Sequence, residues 1–235
     1  MGLGCVPYLP KVLPDFFHTI STSEDTLKEF IIWKLGTLVS IVRQHIRKYL
    51  PELLSLISEL WSSFSLPAPN RPVHGPPVLH LVEQLCLALN DEFRTYLPTI
   101  LPFYIQVLTD AERCNNYTFV PDILRTLRVF GGTLDEHMHL LLPALIRLFI
   151  VDASVDIRRA AIKTLIRIIP RVQVRGHISL LVDHLKLVLD GYVTLSTNVY
   201  LEFINVQSAC AHAYIHLHPG KYELEHVFST ACSLY

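Results

Sequence analysis

The 235-residue sequence predicts an all-α fold, an α-solenoid of stacked helix pairs. A proline-headed apolar motif recurs at an interval of solenoid length, and the stretches between its copies carry apolar residues at helical spacing. Composition adds a third observation. Apolar residues make up 51% and charged residues 17%, with 20 Lys plus Arg against 21 Asp plus Glu, so the chain has material for a continuous core and is not a disordered one.

The motif first stands at Tyr8-Leu9-Pro10-Lys11-Val12-Leu13. It recurs as Tyr49-Leu50-Pro51-Glu52-Leu53-Leu54, as Tyr96-Leu97-Pro98-Thr99-Ile100-Leu101 and, more loosely, as Leu141-Leu142-Pro143-Ala144-Leu145-Ile146, with prolines 41, 47 and 45 residues apart. Proline suits the first turn of a helix, where its missing N–H has no intrahelical partner and its fixed φ is already helical. Each copy is therefore read as the start of the first helix of a pair. A fifth segment, His177 to Val182, has Ser179 in the proline's place, and Ile178, Leu181, Val182, Leu185, Val188 and Leu189 continue as one helical stripe. About four repeats plus one extra helix follow.

The second helices are legible in turn. Leu27, Phe30, Ile31, Leu35, Leu38, Val42 and Ile46 predict a helix from Asp25 to Lys48, and shorter patterns predict Pro77 to Asn90 and Val120 to Phe130. From Val155 to Ile169, Ile157, Ala161, Leu165, Ile168 and Ile169 face one way, and Arg158, Arg159, Lys163 and Arg167 another. Ile157-Arg158, Ala161 and Leu165, with Asp152 in the turn before, match the second-helix signature of a HEAT repeat, which fits the repeat length. Ser65 to Pro77 reads as an extended Pro-rich loop. Gly131-Gly132 reads as a helix stop, and Thr133 with Glu136 as a capping box for the next helix.

A formal net charge of −1 excludes a general nucleic-acid binder, whose affinity rests on a positive excess. Cys5, Cys86, Cys114, Cys210 and Cys232 lie at least 22 residues apart, too far for a metal knuckle or redox motif, and read as buried thiols of a reducing compartment. Prolines or polar residues break every uncharged stretch, so neither a membrane span nor a secretory signal is expected, and a soluble, cytoplasmic protein follows. No cofactor, metal site or catalytic motif is expected. His137 and His139, at i and i+2, point apart on a helix, and His212, His216 and His218 fall in an unmatched tail. Arg43, Arg47 and Lys48, with His45, form one basic cluster, and Arg158, Arg159, Lys163 and Arg167 a second. Both are candidate protein-binding surfaces, against plainer readings as a helix C-terminus and a solvated helix face. Asn116-Tyr117-Thr118 matches a glycosylation acceptor and, without a secretory signal, carries no information.

Three runs carry a family resemblance. They are Lys34 to Arg47 with Tyr49; Leu87-Ala88-Leu89-Asn90-Asp91-Glu92-Phe93 before Tyr96-Leu97-Pro98; and Phe130-Gly131-Gly132-Thr133-Leu134-Asp135-Glu136 with His139-Leu140-Leu141-Leu142-Pro143. Together they resemble the middle HEAT region of the target of rapamycin (TOR) serine/threonine-kinase family, in its plant forms, over residues 1 to 190. The resemblance implies a scaffold segment of a growth-signalling kinase complex of the TORC1 kind, with raptor-like and LST8-like subunits as partners and self-association through the parent chain. It implies no kinase domain here, since Gly-rich loop, catalytic-loop and Asp-Phe-Gly motifs are missing. Two alternatives stand beside it: kinase activity ascribed by inheritance, and an unrelated HEAT adaptor or transport receptor.

Residues 191 to 235 depart from this pattern. They hold no Arg, one Lys (Lys221), three acids, four of the 12 histidines and five of the ten tyrosines. That shift divides the chain into a solenoid segment, 1 to 190, and a tail, 191 to 235, expected to be retained-intron or alternative sequence. A solenoid segment without its neighbours or a polar cap is further expected to aggregate.

Overall fold

The structure, a computed structural model, describes residues 2–64, 77–150 and 154–169. Among them are eight α-helices and no strand: α1 (Leu9–Thr22), α2 (Asp25–Val42), α3 (Leu50–Phe64), α4 (Pro77–Leu89), α5 (Leu97–Cys114), α6 (Val120–Phe130), α7 (Met138–Ile150) and α8 (Val155–Ile168). Single 3-10 segments precede the odd-numbered helices: Gly2–Tyr8, then the linkers Arg43–Tyr49, Asn90–Tyr96 and Gly131–His137. The chain divides into two compact units, Met1–Leu134 and the residues from Asp135 on. In the first, α1 packs on α2, α3 on α4 and α5 on α6, while α2, α4 and α6 stack in series. In the second, α7 packs on α8. This is the all-α, HEAT-type arrangement of helix pairs that the repeats predict.

Proline starts three of the first helices as expected: Pro10, Pro51 and Pro98 are the second residues of α1, α3 and α5. The fourth copy is different. Helix α7 opens at Met138, so Pro143 is its sixth residue, the place of Pro14 in α1 and Pro102 in α5. Pro143 therefore launches no helix. A helical stripe matches itself when slid by one turn, and the leucines before Pro143 disguise a four-residue slip.

Each linker begins with a residue at positive φ: Arg43 (49°), Asn90 (51°) and Gly131 (52°). Three residues on, each buries an apolar side chain, Ile46, Phe93 or Leu134. This linker cuts the helix expected to run from Asp25 to Lys48, which stops at Val42 with the Arg43 N–H bonded to the Val39 carbonyl. Ile46 sits at helical spacing from Val42 and masks the break. The buried face of α2 is also rotated from the expected one. It is formed by Ile32, Leu35, Gly36, Val39 and Val42, whereas Leu27 and Phe30 are exposed.

Gly131 ends α6 as its sequence predicts, but Thr133 works backwards. Its buried hydroxyl donates to the Phe130 carbonyl at 2.9 Å, so it closes the end of α6 and is no capping box for α7. Helix α8 carries the N-cap that its sequence suits: Ser154 Oγ accepts from the Ile157 N–H at 3.4 Å. Ile157, Ala161, Leu165, Ile168 and Ile169 are buried as expected, joined by Ile162 and Thr164.

In the first unit an aromatic chain runs through the core: Trp61 packs on Phe103 and Tyr104, Tyr104 on Phe130, and Phe130 on Phe93. Of the thiols expected to be buried, Cys86 is, Cys5 is half-buried and Cys114, the last residue of α5, is exposed. No helix among the described residues is long and apolar enough to cross a membrane. The Pro-rich stretch 65–76, Asp152, the fifth segment, Cys210, Cys232, the histidines at 212, 216 and 218 and the whole tail lie outside the described residues.

Candidate protein-docking surface

The second helices of the first unit pack in series and carry the candidate surface, whose geometry α2 and α4 set. They approach at Gly36, where a Cβ would lie 2.7 Å from His80 Cδ2 and 3.5 Å from the Leu81 Cα. Only glycine permits that separation without displacing His80. The His80 ring stacks on Trp33 with centroids 3.9 Å apart. Next along α4, Glu83 reaches across to Arg125 of α6 at 4.0 Å, and Arg125 also lies 3.7 Å from Asp122. Leu87 is exposed one turn further along α4.

The outer side of α2 is apolar. Leu27 is 50% exposed, Phe30 57%, Trp33 47% and Ile41 37%, and Lys34 lies over the Phe30 ring. Four large exposed apolar side chains on one helix face make this the candidate docking surface. The sequence pattern missed it because α2 is apolar on both sides, so periodicity alone assigns Leu27 and Phe30 to the core.

The basic candidates separate into different roles. Arg43 and Lys48 are exposed, Arg43 directly after the end of α2 and Lys48 in the 3-10 linker, so the cluster does not end one long helix. Arg47 is engaged within the fold: its Nε donates to Glu92 Oε2 at 2.6 Å and its Nη2 to Oε1, a two-pronged pair between successive linkers. On α8, Arg159 pairs with Asp156 at 3.2 Å and Arg158 is half-buried, while Lys163 and Arg167 are exposed. The structure places these residues on one helix of the second unit, as their spacing predicts.

No group of His, Cys, Asp and Glu among the described residues could hold a metal ion. His137 is half-buried at the end of its linker and His139 exposed on α7. Burial pushes the Cys86 thiol up to about 12, with the Glu83 carboxylate adding to it, so this thiol stays protonated. Burial likewise holds the Tyr104 phenol well above its ordinary value. Both groups are packing residues of the core.

Stacked helix pairs with an exposed second-helix face, and no reactive group set into it among the described residues, define a helical-repeat protein of the HEAT type. A family model described as "Serine/threonine-protein kinase mTOR domain" matches residues 1–43. The chain is 80% identical over 191 residues, 81% of its length, to the serine/threonine-protein kinase TOR of Arabidopsis thaliana. It is 74% identical over 196 residues to the TOR kinase of Oryza sativa subsp. japonica, and 34% identical over 149 residues, 63% of its length, to the mTor kinase of Drosophila melanogaster. Over the aligned residues the chain belongs to the TOR family, with a plant-like sequence. It spans 8% of the length of each plant relative and 6% of the fly one.

Proposed function

We propose that this chain is a scaffold segment of a TOR-type serine/threonine kinase, acting in the cytoplasm by holding proteins together and transferring no phosphate itself. The observation that carries the reading is the stack of α2, α4 and α6 in a chain 80% identical to a TOR kinase over 8% of that kinase's length. Serially stacked pairs give an extended surface suited to binding proteins. Its partners on this reading are the raptor-like and LST8-like subunits of a TORC1-type complex, with self-association through the parent chain. Two separate charged candidate surfaces follow on this reading, Arg43 and Lys48 on the first unit and Lys163 and Arg167, with Arg158 and Arg159, on the second, while Arg47 contributes through its pair with Glu92. The solenoid segment, 1 to 190, carries the binding, and residues 191 to 235 do not.

Co-purification tests this. Tagged chain mixed with purified raptor-like and LST8-like subunits is expected to retain one or both, to lose them when Arg43 and Lys48 are changed to Glu, and to keep them when truncated after Asp190. Retention of neither subunit sinks the partner assignment. Incubation with ATP, Mg²⁺ and a protein substrate is expected to give no phosphate transfer, and transfer by the purified chain would overturn the scaffold reading.

A further inference from the structure

His80 sits where α2 and α4 come closest. Its ring is stacked on Trp33 with centroids 3.9 Å and planes 12° apart, and it fills the space left by the missing side chain of Gly36. An alanine Cβ at 36 would lie 3.1 Å from His80 Nε2. That Nε2 is buried and has no hydrogen-bond partner among the described residues. A neutral imidazole tolerates this position as the tautomer protonated on Nδ1, leaving a lone pair at Nε2. An imidazolium does not, because both ring nitrogens then carry N–H donors and one would be buried without an acceptor. The charges bearing on the ring are Glu83, one turn along α4, and Arg125 of α6, and these two already face each other at 4.0 Å. Helix α2 meets the ring with uncharged Trp33 and Gly36, and its neighbouring Lys34 is drawn over Phe30, 5.1 Å from that ring's centroid.

We infer that His80 is an acid-sensitive latch on the seam between α2 and α4: neutral, it seats against Gly36 and Trp33 and closes the seam; protonated, it leaves that seat and the seam opens. Burial lowers the His80 pKa below its ordinary 6.5, outweighing the upward pull of Glu83, with Arg125 adding to the lowering. The sign follows. A depressed folded-state pKa gives stability that is fully present above 6.5 and lost as pH falls towards the folded-state value. Within that window each unit of acidification shifts the seam towards the open state by up to about tenfold, the limit for one proton.

The test uses the full chain. With Trp61→Phe, Trp33 is the one remaining indole of two, and its emission and iodide accessibility are followed from about pH 7.5 to about pH 5, the range of histidine titration. The latch requires a red shift and rising accessibility on acidification. It also requires a flat profile in His80→Phe, which keeps a stacked ring that cannot titrate, and in His80→Gln should Phe crowd the seam. In the chain with both tryptophans, the His80 Cε1–H resonance is expected to titrate below 6.5, and α2 and α4 amides to lose up to about tenfold of their exchange protection per pH unit after correction for intrinsic rates. Quenching of Trp33 without a red shift, meaning a charged ring still seated, overturns the latch. So does a His80 that titrates at or above 6.5, or variants that follow the wild-type profile.

Discussion

Arg43 stands at φ 49° and ψ −126°, where glycine is at ease and a side chain is strained, a conformation that costs about 1–3 kcal/mol. The equivalent residue of the last linker, at φ 52° and ψ −120°, is Gly131. Replacing Arg43 by Gly therefore removes strain, offset by the greater freedom of glycine in the unfolded chain. The expected result is a gain of about 1 kcal/mol in urea unfolding. Gly131→Ala should lose a similar amount, and equal stability of either variant with wild type would refute the shared role. Gly36 is the opposite kind of glycine, needed for space. Ala there gains up to about 1 kcal/mol of helix propensity but presses on a His80 ring already held by Trp33, and overpacking costs about 1–3 kcal/mol. A net loss is expected, read from the same unfolding curves. At this scale the sequence was half legible: Gly131-Gly132 announces its turn and Asn90 is of a type that tolerates positive φ, whereas nothing in the letter of Arg43 signals it.

The same linkers govern what was legible about elements. Apolar spacing located α4, α6 and α8 within a residue at either end, because each is bounded by Pro, Gly or Ser. It overran the end of α2, because the linker repeats helix-like spacing through its buried fourth residue, Ile46. It misplaced the start of α7, because one turn of slip preserves a leucine stripe. What the pattern could not show is how successive linkers are fastened. Arg47 grips Glu92, and one linker on, Arg94 Nη2 donates to the Gly132 carbonyl at 3.4 Å. The Arg47–Glu92 pair is about half exposed on both sides, so solvent screens it, and a contribution of about 0.2–1 kcal/mol is appropriate even for a two-pronged pair. A double-mutant cycle with Arg47→Gln and Glu92→Gln should give a coupling in that range that shrinks towards zero in molar salt. Coupling that persists undiminished in salt would mean the pair acts by geometry rather than charge.

For the molecule as a whole, the repeat made the architecture readable and left the docking surface hidden. A two-sided apolar helix does not declare which side the next pair will cover; the burial of Ile32, Leu35, Val39 and Val42 and the approach of Gly36 to His80 and Leu81 identify the covered side of α2. The uncovered side leaves Leu27, Phe30, Trp33 and Ile41 in water, on a chain whose net charge is −1. Near-zero net charge removes the long-range repulsion that keeps apolar patches apart, so self-association in the isolated chain should be driven by this row. Phe30 is the sharpest probe, being the most exposed residue of the row and outside the core, so that Phe30→Glu adds a charge at the patch and removes little packing. Sedimentation velocity of the wild-type chain is expected to show a weight-average mass that climbs with concentration. Phe30→Glu should hold the monomer mass over the same range, with its thermal midpoint nearly unchanged. Lys34→Glu supplies the control, since it alters charge beside the row while leaving all four apolar side chains in place. If both variants suppress association equally, net charge governs it; if only Phe30→Glu does, the apolar row governs it; and a wild-type chain that stays monomeric at high micromolar concentration contradicts the prediction outright.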